Sequence, residues 1–267
     1  MNCSIIIPIY KQFPLELEVV SFRQCCKMLA DYQITIITFK KLEISAYIKI
    51  LDEYKINYKI ECFSQKYFKG IDGYNALMLS DKFYRRFLDY EYILIYQLDA
   101  YVFSPNLSFW LEQNYDYIGS PWFNEKRHTL ELEWSGCFCG GFCLKRTKTF
   151  YRLCFSKEIK INKYLSELSL IKMHNIFLIK MLLSIPIIFL TIVVKLLNIE
   201  RSHEDVIWSI KMKQNGKVPS FGSALDFSFN EYPEYAFELN NKKFPFGCHA
   251  WDSYNSYKFW EKYIKIK

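Results

Sequence analysis

The sequence predicts an α/β fold built on a mainly parallel sheet flanked by helices. Over the first hundred residues, apolar β-branched runs alternate with segments of helical periodicity, a pattern typical of doubly wound sheets. The run YILIYQ at residues 92–97 is apolar without alternation, as expected of a central strand buried on both faces. The 267 residues are 51% hydrophobic, which is enough for one large core, and the 19% aromatic content excludes global disorder.

The first half of the chain is predicted to contain four strands and three helices. Short apolar segments predict strands at 3–9, 33–39, 57–63 and 92–97. Apolar residues at helical spacing predict helices at 14–30, 44–54 and 73–88. Because strands and helices alternate, we expect the strands to be parallel.

The second half is less regular. Ser104-Pro105 predicts the start of a helix that runs to residue 113, with the serine as N-cap and the proline in the first turn. Next we expect a strand at 116–119, a loop at 120–134 and a strand at 140–145. Helices are predicted at 157–200 and 204–214, and the last 50 residues read as short aromatic-rich strands and loops.

Charge and cysteine content narrow the class of protein. The net charge of +7 is a mild excess that suits an anionic partner such as a nucleotide or a phospholipid surface. The sequence has no block of five or more Lys and Arg, so we expect no nucleic-acid partner. The nine cysteines are an odd number and no secretory signal is recognised, which predicts free thiols in a reducing cytoplasm.

One segment, 176–199, is unusually apolar. Its uninterrupted part is short for a bilayer span, and Pro186 lies within it. A kinked helix lying at a membrane surface, or a hairpin dipping into one leaflet, fits this length. A buried or partner-binding helix and a true span with snorkelling lysines are the alternatives.

Two strand ends carry polar residues where parallel α/β sheets bind ligands. Pro8, Tyr10 and Lys11 follow the first strand, and Gln97-Leu98-Asp99 follows the YILIY run directly. A carboxylate at Asp99 suits Mg²⁺ or Mn²⁺ bound to a diphosphate. A capping aspartate in a tight turn is the alternative.

Further candidates lie later in the chain, each with a structural alternative. Gly140-Gly141 would let the backbone approach a ligand, or form an ordinary turn. Glu204-Asp205 opens a helix, where a carboxylate is stabilised and could act as a general base or merely cap the helix. His249 could be a metal ligand, and Trp122 and Trp251 could stack on a sugar or pack in the core.

Five of these segments, taken in order, resemble the motifs of a glycosyltransferase-like family of unknown function. The motifs are Gln97-Leu-Asp-Ala100, Asp116-Tyr-Ile-Gly-Ser-Pro-Trp122, Gly140-Gly-Phe-Cys-Leu-Lys145, Glu204-Asp205 and Pro245-Phe-Gly-Cys-His-Ala-Trp251. The resemblance implies a GT-A-type fold over 1–267, a nucleotide-sugar donor and a divalent metal, Mn²⁺ or Mg²⁺. The segment 157–200 matches no motif and would be a helical, apolar insertion.

The resemblance also implies roles for individual residues. Asp99 and His249 would hold the metal, and Asp205 or Glu204 would deprotonate the acceptor. Asn75 would face the nucleotide with Gln97, and Trp122, Gly140, Gly141 and Trp251 would contact the acceptor. Two departures are Gln97, where the wider GT-A group has an acid, and Cys139, where the family has asparagine.

The resemblance, together with the α/β scaffold that carries its motifs, implies an inverting glycosyltransferase of bacterial surface polysaccharide synthesis. Its acceptor would be a glycan or lipid-linked glycan, and the protein would be cytoplasmic and peripheral to the inner face of the plasma membrane. A non-catalytic membrane-associated subunit with the same fold is the main alternative. A sugar-phosphate nucleotidyltransferase is disfavoured, because the chain lacks a Gly-rich basic loop after the first strand.

Overall fold

A computed structural model describes residues 2–125, 132–173 and 203–266. Its centre is a six-stranded sheet, formed by β1 (Cys3–Pro8), β2 (Gln33–Thr38), β3 (Tyr58–Cys62), β4 (Tyr92–Tyr96), β6 (Tyr117–Glu125) and β7 (Leu132–Arg146). The strands lie in the order β3-β2-β1-β4-β7-β6.

The first four strands are parallel to one another, as the alternation of strands and helices predicts. β1 pairs with β2 and with β4, and β2 pairs with β3. β7 is antiparallel to both β4 and β6, so the sheet is mixed but mainly parallel. All six β1 residues and all five β4 residues are buried, because helices cover both faces of the sheet.

Helices form a layer on each face of the sheet. On one face, Ile5 and Ile7 belong to the same apolar cluster as the helical residues Phe22 and Tyr47. On the other face, Ile6 belongs to a second apolar cluster, formed with the helices packed there. The helices are α1 (Glu16–Met28), α2 (Ser45–Glu53), α3 (Gly70–Met78), α4 (Asp81–Arg85), α5 (Leu107–Glu112), α6 (Thr147–Leu153), α7 (Lys157–Met173), α8 (Glu204–Asn215), α9 (Phe221–Phe227), α10 (Pro233–Leu239) and α11 (Tyr254–Trp260), with a 3₁₀ turn at Gln65–Phe68.

A second, small sheet brings distant parts of the chain together. It joins β5 (Tyr101–Val102), β9 (Gly247–Cys248) and β8 (Ser228–Phe229). The Trp251 N–H donates to the Asp99 carbonyl at 3.1 Å, which extends this connection beyond the strands. The loop after β4 is therefore held beside the segment that carries His249.

Three local predictions were wrong. Residues 120–134 were predicted to be a loop, but Pro121–Glu125 and Leu132–Trp134 are paired strand residues. Phe123 and Trp134 are paired across the hairpin, and both rings pack against Phe221 of α9. The predicted helix 73–88 is split, because Ser80 caps a new helix by accepting the Lys82 N–H. The helix expected from Ser104 begins at Leu107. The last 50 residues contain the expected short strands and loops, together with the short helices α9, α10 and α11.

The apolar segment 176–199 lies outside the described residues. The first part of the predicted insertion is α7, which packs against α3 and buries Ile159 completely. Within the ranges that the structure describes, no helix is long and apolar enough to cross a membrane.

Candidate active site

A cavity of about 660 Å³ opens at the carboxyl ends of β1 and β4. It lies where parallel α/β sheets bind ligands. Twelve of the thirteen residues predicted from the sequence line it: Pro8, Tyr10, Lys11, Asn75, Gln97, Asp99, Trp122, Gly140, Gly141, Glu204, Asp205 and His249. The structure therefore brings together residues that are up to 241 positions apart in the sequence.

Asp99 and His249 form an ion pair at one side of the cavity. Asp99 Oδ1 lies 3.3 Å from His249 Nε2. Burial by itself would raise the pKa of Asp99, but the nearby His249 ring outweighs it and holds that pKa below its ordinary value. Burial would likewise lower the pKa of His249, and the Asp99 carboxylate instead raises it well above the ordinary range.

The other ring nitrogen of His249 is held by two residues that sequence analysis did not assign. Asn230 Oδ1 lies 2.9 Å from Nδ1, and Cys139 Sγ lies 3.2 Å from the same atom. Because an amide oxygen accepts, Asn230 favours a proton on Nδ1. The ring is thus oriented with Nε2 directed at Asp99.

Three atoms converge in a way that fits a divalent cation. Gln97 Oε1 and Asp99 Oδ1 each lie 3.3 Å from His249 Nε2. Neighbouring ligand atoms around a small octahedral cation, bound at about 2.1 Å, are separated by roughly 3 Å. Asp99 Oδ1 is buried and faces His249 Nε2, so the two atoms could bind a cation in place of the proton between them.

A divalent cation at this position would need the Gln97 amide oxygen and oxygen atoms of a bound ligand, in addition to Asp99 and His249. Among residues 2–125, 132–173 and 203–266, no three His, Cys, Asp or Glu side chains converge as a metal site. The cation would therefore be held by Asp99, His249 and the Gln97 amide oxygen, with the remaining positions left for diphosphate oxygens and water.

The second charged group of the site is the acidic pair at the start of α8. Lys145 Nζ lies 3.3 Å from Glu204 Oε2, and both side chains are almost completely buried. Burial raises the pKa of Glu204 to about 7, even though Lys145 opposes this shift. Burial also raises the pKa of Asp205, whose Oδ2 accepts the Gly140 N–H at 3.3 Å.

Close packing within the protein requires glycine at positions 140 and 141. A methyl group at Gly140 would overlap Glu204 Oε1 and lie 3.2 Å from Asp205 Cβ. A methyl group at Gly141 would overlap the His249 ring. Both positions require glycine because the chain's own side chains pack on the backbone there. Both glycines also line the cavity, and their contact with an acceptor stays a prediction.

These glycines lie at an irregularity of β7. Gly119 of β6 pairs with Cys143 and Pro121 pairs with Phe138, so extra β7 residues are accommodated between the two pairs. Such bulges redirect side chains and are frequent beside active sites. The Gln97 N–H donates to the Gly141 carbonyl at 2.9 Å, which fixes the end of β4 against this bulge.

The two predicted acceptor-stacking tryptophans differ in position. Trp122 is partly exposed and lines the cavity. Trp251 has no exposed surface and packs against Tyr101 and Tyr257 in an aromatic cluster. The prediction that Trp251 stacks on an acceptor was therefore wrong, because its ring is buried against residues of β5 and α11.

The residues expected to bind the donor lie in different environments. Tyr10 is 58% exposed at the cavity wall, and Lys11 pairs with Glu18 at 2.8 Å. Asn75 is buried, and its Oδ1 accepts the Glu204 N–H at 3.4 Å. Asn75 therefore helps to fix the start of α8, besides lining the cavity.

Sequence analysis missed several residues that line or support the cavity. Tyr74 lines it, and its buried hydroxyl makes no hydrogen bond within the described ranges. Asp252 also lines it, and burial raises its pKa. Tyr74 follows the predicted start of a helix and Asp252 follows the last motif, so only proximity to Asn75 and Trp251 could have indicated them.

The cavity is strongly acidic. Within the described part of the chain, its lining holds one lysine, Lys11, and six carboxylate side chains, at Glu18, Asp99, Glu204, Asp205, Glu231 and Asp252. A diphosphate would be repelled by such a surface unless a cation accompanied it.

The fold is that of the GT-A glycosyltransferases. Mouse xyloside xylosyltransferase 1 in its apo form is similar, with a TM-score of 0.51, 10% identity, and coverage of 93% of this chain and 96% of that one. The glycosyltransferase GlyE from Streptococcus pneumoniae TIGR4 gives 0.50 at 12% identity, over 94% of this chain and 54% of that one. Core-mannan synthase A from Aspergillus fumigatus, in a Mn/GDP form, gives 0.46 at 10% identity, over 64% and 65%.

The chain belongs to the family described as "Protein of unknown function (DUF5672)", which matches residues 57–249. No curated protein matches the sequence. The chain spans about half the length of GlyE and just under two thirds of that of the mannan synthase.

Proposed function

We propose that this protein is an inverting, metal-dependent glycosyltransferase. It would transfer a sugar from a nucleotide-diphosphate sugar to a hydroxyl of a glycan or lipid-linked glycan. The observation that carries the proposal is one cavity that holds both the Asp99–His249 pair and the Glu204–Asp205 pair. The first pair suits a diphosphate-bound cation, and the second suits proton removal from an acceptor.

The donor would lie across the ends of β1 and β4. Pro8, Tyr10 and Lys11 line the cavity at the end of β1, where an exposed tyrosine ring can pack on a base. Gln97 and Asp99 line it at the end of β4. A divalent metal held by Asp99, His249 and Gln97 would neutralise charge that develops on the departing diphosphate.

The transfer step requires a base on the acceptor side. The acceptor oxygen forms a bond to the anomeric carbon while the bond from that carbon to the diphosphate oxygen breaks. The electron pair of the broken bond leaves with the nucleoside diphosphate, and the acceptor proton passes to a carboxylate of the Glu204–Asp205 pair. Their raised pKa values make these groups better bases than ordinary surface carboxylates.

The acceptor and location complete the proposal. A partly exposed Trp122 in the cavity suits stacking on a sugar ring. The net charge of +7 and the apolar segment 176–199 support a cytoplasmic protein at the inner face of the plasma membrane. The segment 157–200 would be an insertion in one catalytic domain spanning 1–267. Recovery of all the protein in the soluble fraction would contradict the membrane assignment.

The central test is thermal unfolding with a panel of nucleoside diphosphates, with and without Mn²⁺. A ligand at about 100 times its Kd adds roughly 2.7 kcal/mol, which raises the Tm by about 5–10 °C for a chain of this size. We expect one nucleotide to give a Mn²⁺-dependent shift that Asp99→Asn abolishes. The control Asp226→Asn alters an exposed carboxylate outside the cavity and keeps the shift.

The absence of any shift in folded wild-type protein would contradict the transferase proposal. If stable partner proteins were then found, a non-catalytic membrane-associated subunit that retains the fold would replace it. Release of pyrophosphate, and not nucleoside diphosphate, would instead indicate a nucleotidyltransferase.

A further inference from the structure

A lysine and a glutamate are paired beneath the cavity, away from solvent. Lys145 extends from β7 and has no exposed surface, and its Nζ lies 3.3 Å from Glu204 Oε2. The rings of Phe150 and Tyr117 lie 5.1 and 5.8 Å from Nζ. A buried charge is stable only when it is paired, so each of these groups requires the other.

The Glu204 carboxylate is committed to contacts within the protein. Oε2 faces Lys145, and Oε1 packs on the Cα of Gly140, where a methyl group would overlap it. The backbone N–H of Glu204 donates to Asn75 Oδ1 at 3.4 Å. Three elements, β7, α3 and α8, therefore hold this residue in one orientation.

Asp205 is held differently, although it is the next residue. Its Oδ2 accepts the Gly140 N–H at 3.3 Å and its Oδ1 accepts the Val206 N–H at 2.8 Å. Its carbonyl accepts the Ser209 hydroxyl at 2.7 Å, and that hydroxyl oxygen accepts the Phe138 N–H at 2.9 Å. Backbone donors thus orient Asp205, and their position depends on how the first turn of α8 sits on β7.

We propose that Lys145 is a positioning residue, whose pairing with Glu204 anchors the first turn of α8 on β7 and so directs Asp205 at the acceptor hydroxyl. Glu204 is the counter-ion of this anchor. Asp205 is the carboxylate that receives the acceptor proton as the new glycosidic bond forms. This inference rests on the proposed function, because it divides the roles of the acidic pair in the transfer step.

The anchor can be tested without activity. Cys139-Gly140 is the only Cys-Gly dipeptide in the sequence, so ¹³C-carbonyl cysteine and ¹⁵N-glycine labelling isolates the Gly140 amide signal. We expect Lys145→Met to move this signal and to lower the Tm by roughly 10 °C. The neutral double variant Lys145→Met/Glu204→Gln and the conservative variant Lys145→Arg should both restore most of the wild-type Gly140 signal position and most of the wild-type Tm.

Transfer activity then separates the two carboxylates. Asp205→Asn should stay folded and keep the wild-type nucleotide affinity but lose at least about 100-fold in kcat. The neutral double variant should be more active than Lys145→Met alone, because it no longer carries an unpaired buried charge. A double variant as inactive as Asp205→Asn, or an unmoved Gly140 signal in Lys145→Met, would overturn the inference.

The outcome for the proposed function is read separately. If wild-type protein bound no nucleotide with Mn²⁺, the transferase would be refuted, and the base assignment to Asp205 with it. The Gly140 signal and the Tm values would still decide whether Lys145 positions α8.

Discussion

Substitution of Gly141 by alanine tests how the site is packed. The added methyl carbon would lie 2.6 Å from His249 Cε1 and nearer still to Cδ2 and Nε2. Carbon atoms in contact are separated by about 3.5–4.0 Å, so the ring must move by roughly 1 Å or more. Nε2 lies 3.3 Å from both Asp99 and Gln97, and a movement of this size separates these groups.

Two quantities should change in Gly141→Ala. Overpacking of this kind lowers the free energy of unfolding by about 1–3 kcal/mol, which urea denaturation measures. The affinity for Mn²⁺, followed by the loss of the free-ion EPR signal, should fall as well, because the three proposed ligands no longer converge. The backbone angle φ of Gly141 is not in the left-handed region, so the effect is due to the added methyl group.

Gly222 provides a matched control. It lies in α9, is exposed, and an added methyl group would meet no atom within 4 Å. Gly222→Ala should stabilise the protein by up to about 1 kcal/mol through helix propensity and leave Mn²⁺ binding unchanged. If Gly141→Ala matched this control in both measurements, the reasoning about close packing on His249 would be refuted.

Three further predictions concern charge and aromatic packing. Glu204 has a pKa of about 7 in the folded protein, above its unfolded value of 4.5, so the folded state binds more protons between these two pH values. The free energy of unfolding therefore falls as pH rises from 4.5 to 7, by up to about 1.4 kcal/mol per pH unit. Glu204→Gln should flatten this fall in urea titrations at pH 5 and 7, and an unchanged slope would show that another group causes it. Trp251→Ala should destabilise the protein by about 3–5 kcal/mol in urea unfolding, because its ring is fully buried. Trp122→Ala should raise the acceptor KM with little change in Tm, and a large loss of Tm would indicate a packing role instead.

Much of the fold follows from local patterns. The order of strands and helices through residue 97 could be predicted from the sequence. In β4, for example, consecutive apolar residues leave no side that faces solvent, which indicates a strand buried on both faces. The hairpin of β6 and β7 could not be predicted from the sequence. Polar and aromatic residues alternate there, but the bulge that interrupts the pairing obscures the strand period.

The chemistry of the site was readable only in part. Asp99, Glu204, Asp205 and His249 were recognised as residue types with suitable neighbours in the sequence. That Lys145 neutralises Glu204 was not, because a lysine at the end of an apolar strand is ordinarily exposed. That side chains pack on the Cα atoms of the two glycines depends on contacts between β7, the start of α8 and His249.

The sequence by itself determined most elements through residue 97 and which residues could do chemistry, because hydrophobic periodicity, caps and strand ends are local properties. Tertiary structure alone decided which of these residues meet. Asp99 and His249 are 150 positions apart, and they approach because a two-residue strand, β5, pairs with another, β9. Pairing between such short segments leaves no periodic signal, since it is specified by the packing around it.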